Sequence, residues 1–202
     1  MGRSIWSVAS PPRQPTRERL IDASAMLFYE QGFHAIGIDQ IIAEVGVTKT
    51  TFYNHFESKD DLIVAVLRDR DERDMRALDA ELARRGGGPF DQILSVFDVL
   101  DDWFSDADFR GCLFINAAVQ FPNLNDPVHV AASAHGENVR ALFERLARAG
   151  GAPDPDALSR QLCMLVAAAI ANRHGEGDMK AAAMAKDMAS ALLERVNQNP
   201  RA

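Results

Sequence analysis

Residues 38–56 run Ile38-Asp39-Gln40-Ile41-Ile42-Ala43-Glu44-Val45-Gly46-Val47-Thr48-Lys49-Thr50-Thr51-Phe52-Tyr53-Asn54-His55-Phe56. Ile38, Ile41, Ile42 and Val45 recur at helical spacing and mark one apolar face of a short helix. Gly46 follows where a tight helix–helix turn requires a residue that tolerates positive φ. Thr48 then supplies a hydroxyl suited to cap a second short helix. On that helix Phe52 and Phe56 stand four apart and point to the core. Thr48, Lys49, Thr50, Tyr53 and Asn54 fall on the opposite face, with the hydroxyl, ammonium, phenol and amide groups that bond phosphate oxygens and base edges. A helical hairpin with a polar outer face fits this short pattern equally well.

Outside this stretch the pattern stays helical. Leu20, Ala23 and Leu27 are spaced three and four apart and stop at Gly32; Thr16 is expected to cap that first helix. Ser58 with Asp61 reads as a capping box. Pro89, Pro127 and Pro155 stand where first helical residues are expected, while Gly86-Gly87-Gly88 and Gly150-Gly151 mark breaks. No sustained strand-like alternation occurs. The fold class expected is all-α, with about nine helices over 16–32, 38–45, 49–55, 59–84, 89–105, 111–121, 127–148, 155–173 and 178–197. The Pro-, Ser- and Arg-bearing stretch 1–15 is expected to be a flexible arm.

The chain has 202 residues, 47% hydrophobic and 25% charged, with a formal net charge of −7. Such a length and composition suit a globular chain with its own core. The acidic balance argues against a generally basic nucleic-acid coat. The charge is uneven, however. Residues 1–56 carry Arg3, Arg13, Arg17, Arg19 and Lys49 against Glu18, Asp22, Glu30, Asp39 and Glu44, so all the excess acidity lies beyond residue 56. Cys112 and Cys163 lack the spacing of a disulfide framework or zinc site and read as core thiols of a reducing compartment. No secretory leader is visible at the start, and the longest apolar stretch, 162–171, is too short to span a bilayer. A cytoplasmic protein is expected.

The stretch from Gly32-Phe33-His34-Ala35 through Ile38–Val45, Gly46-Val47-Thr48-Lys49, Phe52-Tyr53-Asn54-His55-Phe56 and Ser58-Lys59-Asp60-Asp61-Leu62 resembles the DNA-binding domain of the TetR family of transcriptional regulators. The likeness covers roughly 16–64. Residues 110–122, which include Gly111-Cys112-Leu113-Phe114-Ile115-Asn116, look like the regulatory domain of one subgroup of that family. Gly37, Thr50 and Asn54 depart from the common pattern. Gly37 removes a cap from the second helix, and the other two put the DNA sequence read, rather than DNA binding, in question.

The resemblance implies a helix-turn-helix domain over 16–58 and a regulatory domain for ligand binding and dimerisation over 59–202. It implies DNA contacts from Thr48, Lys49, Thr50, Tyr53, Asn54, His55 and Lys59. Tyr53 and His55 would hold the backbone, Lys59 would neutralise a phosphate, and Thr50 and Asn54 would meet base edges. His55 reads equally as a core histidine. Arg13, Arg17 and Arg19 could reach a phosphate or the minor groove, or form a solvated helix start.

The region beyond 59 resembles a ligand-binding and dimerisation domain. Candidate pocket residues are Phe97, Leu100, Trp103, Phe104, Cys112, Leu113, Asn116, Gln120 and His135, a mostly apolar set with a few polar groups; the same residues suit an ordinary core. The resemblance implies a homodimer interface on the last two helices, through Leu162, Leu165, Val166, Ala169, Met184, Met188 and Leu192. The charged run 68–74 reads as an exposed helix face with pairs four apart, such as Asp69–Arg73.

Phosphate-loop, zinc-protease and nucleophile-elbow motifs are absent, so no enzyme, metal or cofactor is expected. The partners implied are double-stranded DNA with a palindromic operator, a second copy of the chain and a small-molecule effector; no membrane is expected. The expected function is a homodimeric regulator, a repressor released by its effector. The alternative is an all-helical small-molecule-binding protein or enzyme that no longer reads DNA.

Overall fold

The computed structural model describes residues 15–198. These form nine α-helices and no strand: α1 (Thr16–Gln31), α2 (Ile38–Val45), α3 (Lys49–Tyr53), α4 (Lys59–Arg85), α5 (Pro89–Phe104), α6 (Leu113–Gln120), α7 (Pro127–Ala149), α8 (Pro155–Glu176) and α9 (Ala181–Gln198). The all-α expectation is met. No helix among the described residues is long and apolar enough to cross a membrane.

Several helix ends differ from expectation for local reasons. Pro15, not Thr16, occupies the N-cap of α1, and no side chain caps it. α3 stops at Tyr53, with Asn54 as its C-cap. α6 begins at Leu113 because Cys112 is still in extended backbone as its N-cap. α8 runs three residues past its expected end, until Gly177 provides the left-handed stop. α9 starts late because the Asp178 carboxylate accepts the Lys180 N–H at 2.8 Å and holds a turn there.

The described residues gather into two compact units that interleave in sequence. One comprises 15–73 with 112–135; the other comprises 74–111 with 136–198. α4 and α7 therefore each contribute to both. Segment 112–135, expected to belong with the C-terminal part, packs with the helix-turn-helix.

The first unit is built on Leu20, Phe28, Phe33, Ile36, Ile41, Phe52, Leu62, Ile63, Val66 and Leu67, each at most 1% exposed. α1 packs on α2, and α2 on α3. An exposed guanidinium serves a buried carboxylate of α1: Arg73 Nη1 sits 2.9 Å from Asp22 Oδ1 and its Nε 2.8 Å from Asp69 Oδ2. The 68–74 face is thus not simply solvated, since Arg73 serves a buried carboxylate and Asp74 is itself buried.

In the second unit α9 packs against both α8 and α5. Lys186 of α9 clamps Asp98 of α5 at 2.6 Å, while Arg85 reaches Asp102 at 2.6 Å and Glu81 at 2.7 Å. Arg173 stacks over Phe109 and donates to the carbonyl of Phe104 at 3.0 Å, capping the end of α5.

Candidate nucleic-acid interface

The turn between α2 and α3 forms as its residues dictate. Gly46 adopts φ 71, and its N–H returns to the Ile42 carbonyl at 3.0 Å; so does the Val47 N–H. A left-handed residue closes α2 and redirects the chain, and glycine takes that conformation without a Cβ penalty. Thr48 Oγ1 accepts the Thr51 N–H at 3.1 Å and pairs with the Thr51 hydroxyl at 2.8 Å. α2 has no corresponding cap at Gly37, in keeping with the departure at that residue. Ser58 Oγ accepts the Asp61 N–H at 3.0 Å, while the Asp61 carboxylate reaches the Glu57 N–H rather than that of Ser58.

With Phe52 and Phe56 buried, α3 turns its polar face outward. Thr48, Lys49, Thr50, Tyr53, Asn54 and His55 are all exposed, Tyr53 at 49%. The core-histidine alternative for His55 is therefore set aside. The Tyr53 ring stands edge-on to Phe52 at 5.3 Å, which steadies a side chain whose hydroxyl end is open. Lys49 Nζ lies 3.4 Å from Asp39 Oδ1 of α2. Lys59 is half-buried at the start of α4, and that burial lowers its pKa from the ordinary lysine value.

Arg13 lies outside the described residues. Arg17 is exposed, with its guanidinium 5.1 Å above the Phe56 ring. Arg19 is also exposed, and its Nη2 donates to the Val45 carbonyl, tying α1 to the last turn of α2.

The candidate pocket residues fall into both units. Phe97, Leu100, Trp103 and Phe104 are buried in the second, where Phe97 stacks with Phe143 and Trp103 meets Phe109 edge-on at 4.9 Å. In the first, Cys112 and Leu113 are buried, Asn116 and Gln120 are half-buried, and the His135 ring stacks on Phe114 at 3.8 Å with its Nδ1 2.8 Å from Asp71 Oδ1. Cys163 is half-buried, and burial pushes its thiol up to about 11. No cluster of three or more metal-ligating side chains occurs among the described residues.

On the expected interface helices, Leu162 and Ala169 are closed off within the chain, at 0% and 2% exposed. Helix phase decides this, since their faces turn toward the core. Met184 and Met188 are open at 52% and 54%, and Leu165, Val166 and Leu192 are intermediate. Met164, absent from the expected set, is 72% exposed on α8. The sequence signal missed there was a large apolar residue two positions beyond a buried Leu.

The family model described as bacterial regulatory proteins, tetR family, matches residues 20–66. A solved structure from Streptomyces avermitilis MA-4680, described as a TetR-transcriptional regulator, is 31% identical; the match covers 91% of this chain and 99% of that one, with a TM-score of 0.80. The HTH-type transcriptional repressor DhaR of Mycobacterium sp. strain GP1 is 29% identical over 116 residues, 57% of each chain. The HTH-type transcriptional activator FasR of Mycolicibacterium smegmatis is 42% identical over 57 residues, 28% of this chain and 26% of that one. The matches to these two curated relatives thus cover little more than half of one and about a quarter of the other.

Proposed function

The chain belongs to the TetR family of transcriptional regulators, a family of regulators rather than enzymes, and on that premise we propose that it is a homodimeric repressor that binds a palindromic operator and leaves it when a small-molecule effector binds. In this proposal residues 16–58 read DNA, and 59–202 bind the effector and dimerise. The observation that carries it is the exposed face Thr48, Lys49, Thr50, Tyr53, Asn54 and His55, mounted on a capped helix whose other side is buried. Hydroxyl and amide groups on so short a helix suit base edges and phosphates of a major groove. Tyr53, His55 and Lys59 would hold the backbone, and Thr50 and Asn54 would read bases.

Residues 1–56 carry no net charge, and such a module binds weakly through phosphates alone. Two half-sites roughly 10 bp or a multiple apart would multiply that affinity, which is the role assigned to the dimer. Release requires an effector that binds one dimer arrangement better than the other.

The test is a gel shift on the DNA flanking the chain's own coding region. Retardation that is lost in the Tyr53→Ala, Lys59→Ala double variant supports the proposal. A parent protein that retards no fragment at low salt refutes it. Transcription from the retarded fragment, measured with and without protein, gives the sign.

A further inference from the structure

The end of α6 holds the loop that leads into α2. The Phe33 N–H donates to Gln120 Oε1 at 3.0 Å, and His34 Nε2–H donates to the Gln120 carbonyl at 3.0 Å. The ring of His34 lies 4.9 Å from that of Phe121, and the Phe33 ring meets Phe121 edge-on at 6.0 Å. Phe33 also packs on Phe28 of α1 at 5.1 Å and has no exposed surface. On the far side, His129 Nδ1–H donates to the Phe121 carbonyl at 2.7 Å. Two imidazoles from separate elements therefore satisfy the last carbonyls of α6, which no intrahelical donor reaches.

We propose that Gln120 is a positioning residue for DNA reading: by gripping Phe33 and His34 it sets the placement of α2 and, through the Gly46 turn, of α3. Only three residues separate His34 from Ile38, the first residue of α2. Gly32 opens the loop with φ 84, a backbone conformation that glycine takes without a Cβ penalty. Any displacement of α6 has to break both hydrogen bonds or carry the loop with it. This rests on the DNA-binding proposal above.

The test compares Gln120→Met, which keeps length but has no amide acceptor, with Gln120→Glu, which keeps an acceptor oxygen. Each is measured for affinity to the retarded upstream DNA fragment across a salt series, and for hydrogen exchange at the Phe33 amide. Gln120→Met is expected to lose about tenfold in affinity with an unchanged salt slope, because no phosphate contact is removed. Its Phe33 amide is expected to exchange about tenfold faster, whereas Gln120→Glu stays within about threefold of the parent on both readouts. Parent-like affinity in Gln120→Met, or equal losses in the two variants, overturns the proposal. Should Gln120→Met lack a thermal transition, His34→Phe replaces it; this keeps the ring against Phe121 and removes the N–H. A drop of about threefold at constant slope supports the positioning role, and no drop overturns it. If the parent binds no DNA, the functional proposal fails by itself, while Phe33 exchange still reports on the grip.

Discussion

Arg73 Nη1 lies 2.9 Å from Asp22 Oδ1, joining α4 to a carboxylate on α1 that is only 5% exposed. The other oxygen of Asp22 has no hydrogen-bond partner, so the guanidinium is the principal compensation for a buried charge. Removing one member of such a pair is costlier than removing both, because the survivor stays buried and unpaired. Arg73→Met is expected to destabilise the protein by about 3 kcal/mol, seen as a fall in thermal midpoint of roughly 10 °C. The Asp22→Leu, Arg73→Met double variant is expected to recover most of that loss. A double variant as unstable as the single would show that the pair is not the cause.

At Gly46 the left-handed backbone, not space, sets the cost of substitution: nothing lies within 4 Å of an added Cβ, yet φ is 71. Gly46→Ala is expected to cost about 1–2 kcal/mol. Gly46→Asn should cost less, because asparagine visits that region more readily. Denaturant midpoints of the two variants, compared with the parent, check the order.

How much could be read from the chain follows from how local each interaction is. The Thr48 cap and the Gly46 turn each join residues three or four apart, so residue type and spacing were enough. The bond from Arg19 to the Val45 carbonyl spans 26 residues and that from Phe33 to Gln120 spans 87. Neither leaves a periodic trace, and Arg19 looked like any cation near a helix start. Leu162 and Met184 have the same apolar character in sequence, yet one is core and the other surface, because helix phase against α5 and α9 decides. Gln120 was singled out as a polar group near aromatic residues; that its amide serves the α1–α2 loop was visible only once the helices were placed.

Stability should respond to acid through Glu81. Hydrogen bonds from Arg84, then Arg85, lower its pKa from 4.5 to about 2. A depressed carboxylate pKa contributes stability that is complete above its unfolded value and fades as pH falls toward the folded one. Glu81→Gln is therefore expected to lower the thermal midpoint at pH 7 by about 2–4 °C, a loss of about 1 kcal/mol for an ion pair at the edge of solvent. The gap should close progressively from pH 4.5 to pH 2. A constant gap across that window would assign the effect to packing.

DNA contacts divide by what they read. Lys59 would meet a phosphate, so Lys59→Ala is expected to weaken binding to all fragments alike and to reduce the salt slope by about 1. Asn54 would meet a base edge, so Asn54→Ala should leave the slope unchanged while narrowing the gap between retarded and control fragments, by about 1–3 kcal/mol for a lost base contact. Fluorescence anisotropy titrations at three salt concentrations separate the two. Identical behaviour of the two variants would contradict the assigned roles.

Met164 on α8 and Met184 and Met188 on α9 are between 52% and 72% exposed, while α8 and α9 pack on each other within the chain. Ala167, Ala168, Ala183 and Ala191 are also exposed on these helices and would let a second backbone approach closely. Flexible methionines exposed on two packed helices suit a second copy of the same surface. In a two-fold interface each substitution acts twice, so one buried glutamate places two like charges against apolar surface. Met188→Glu is expected to shift the protein from dimer to monomer in light scattering. Leu162→Ala, at a core site, should instead lower stability by about 2–5 kcal/mol while the folded fraction remains dimeric. If Met188→Glu keeps the parent mass, or the parent is itself monomeric, the proposed interface on α8 and α9 fails; if it alone is monomeric, its DNA affinity should fall with it, because each half-site would then be held alone.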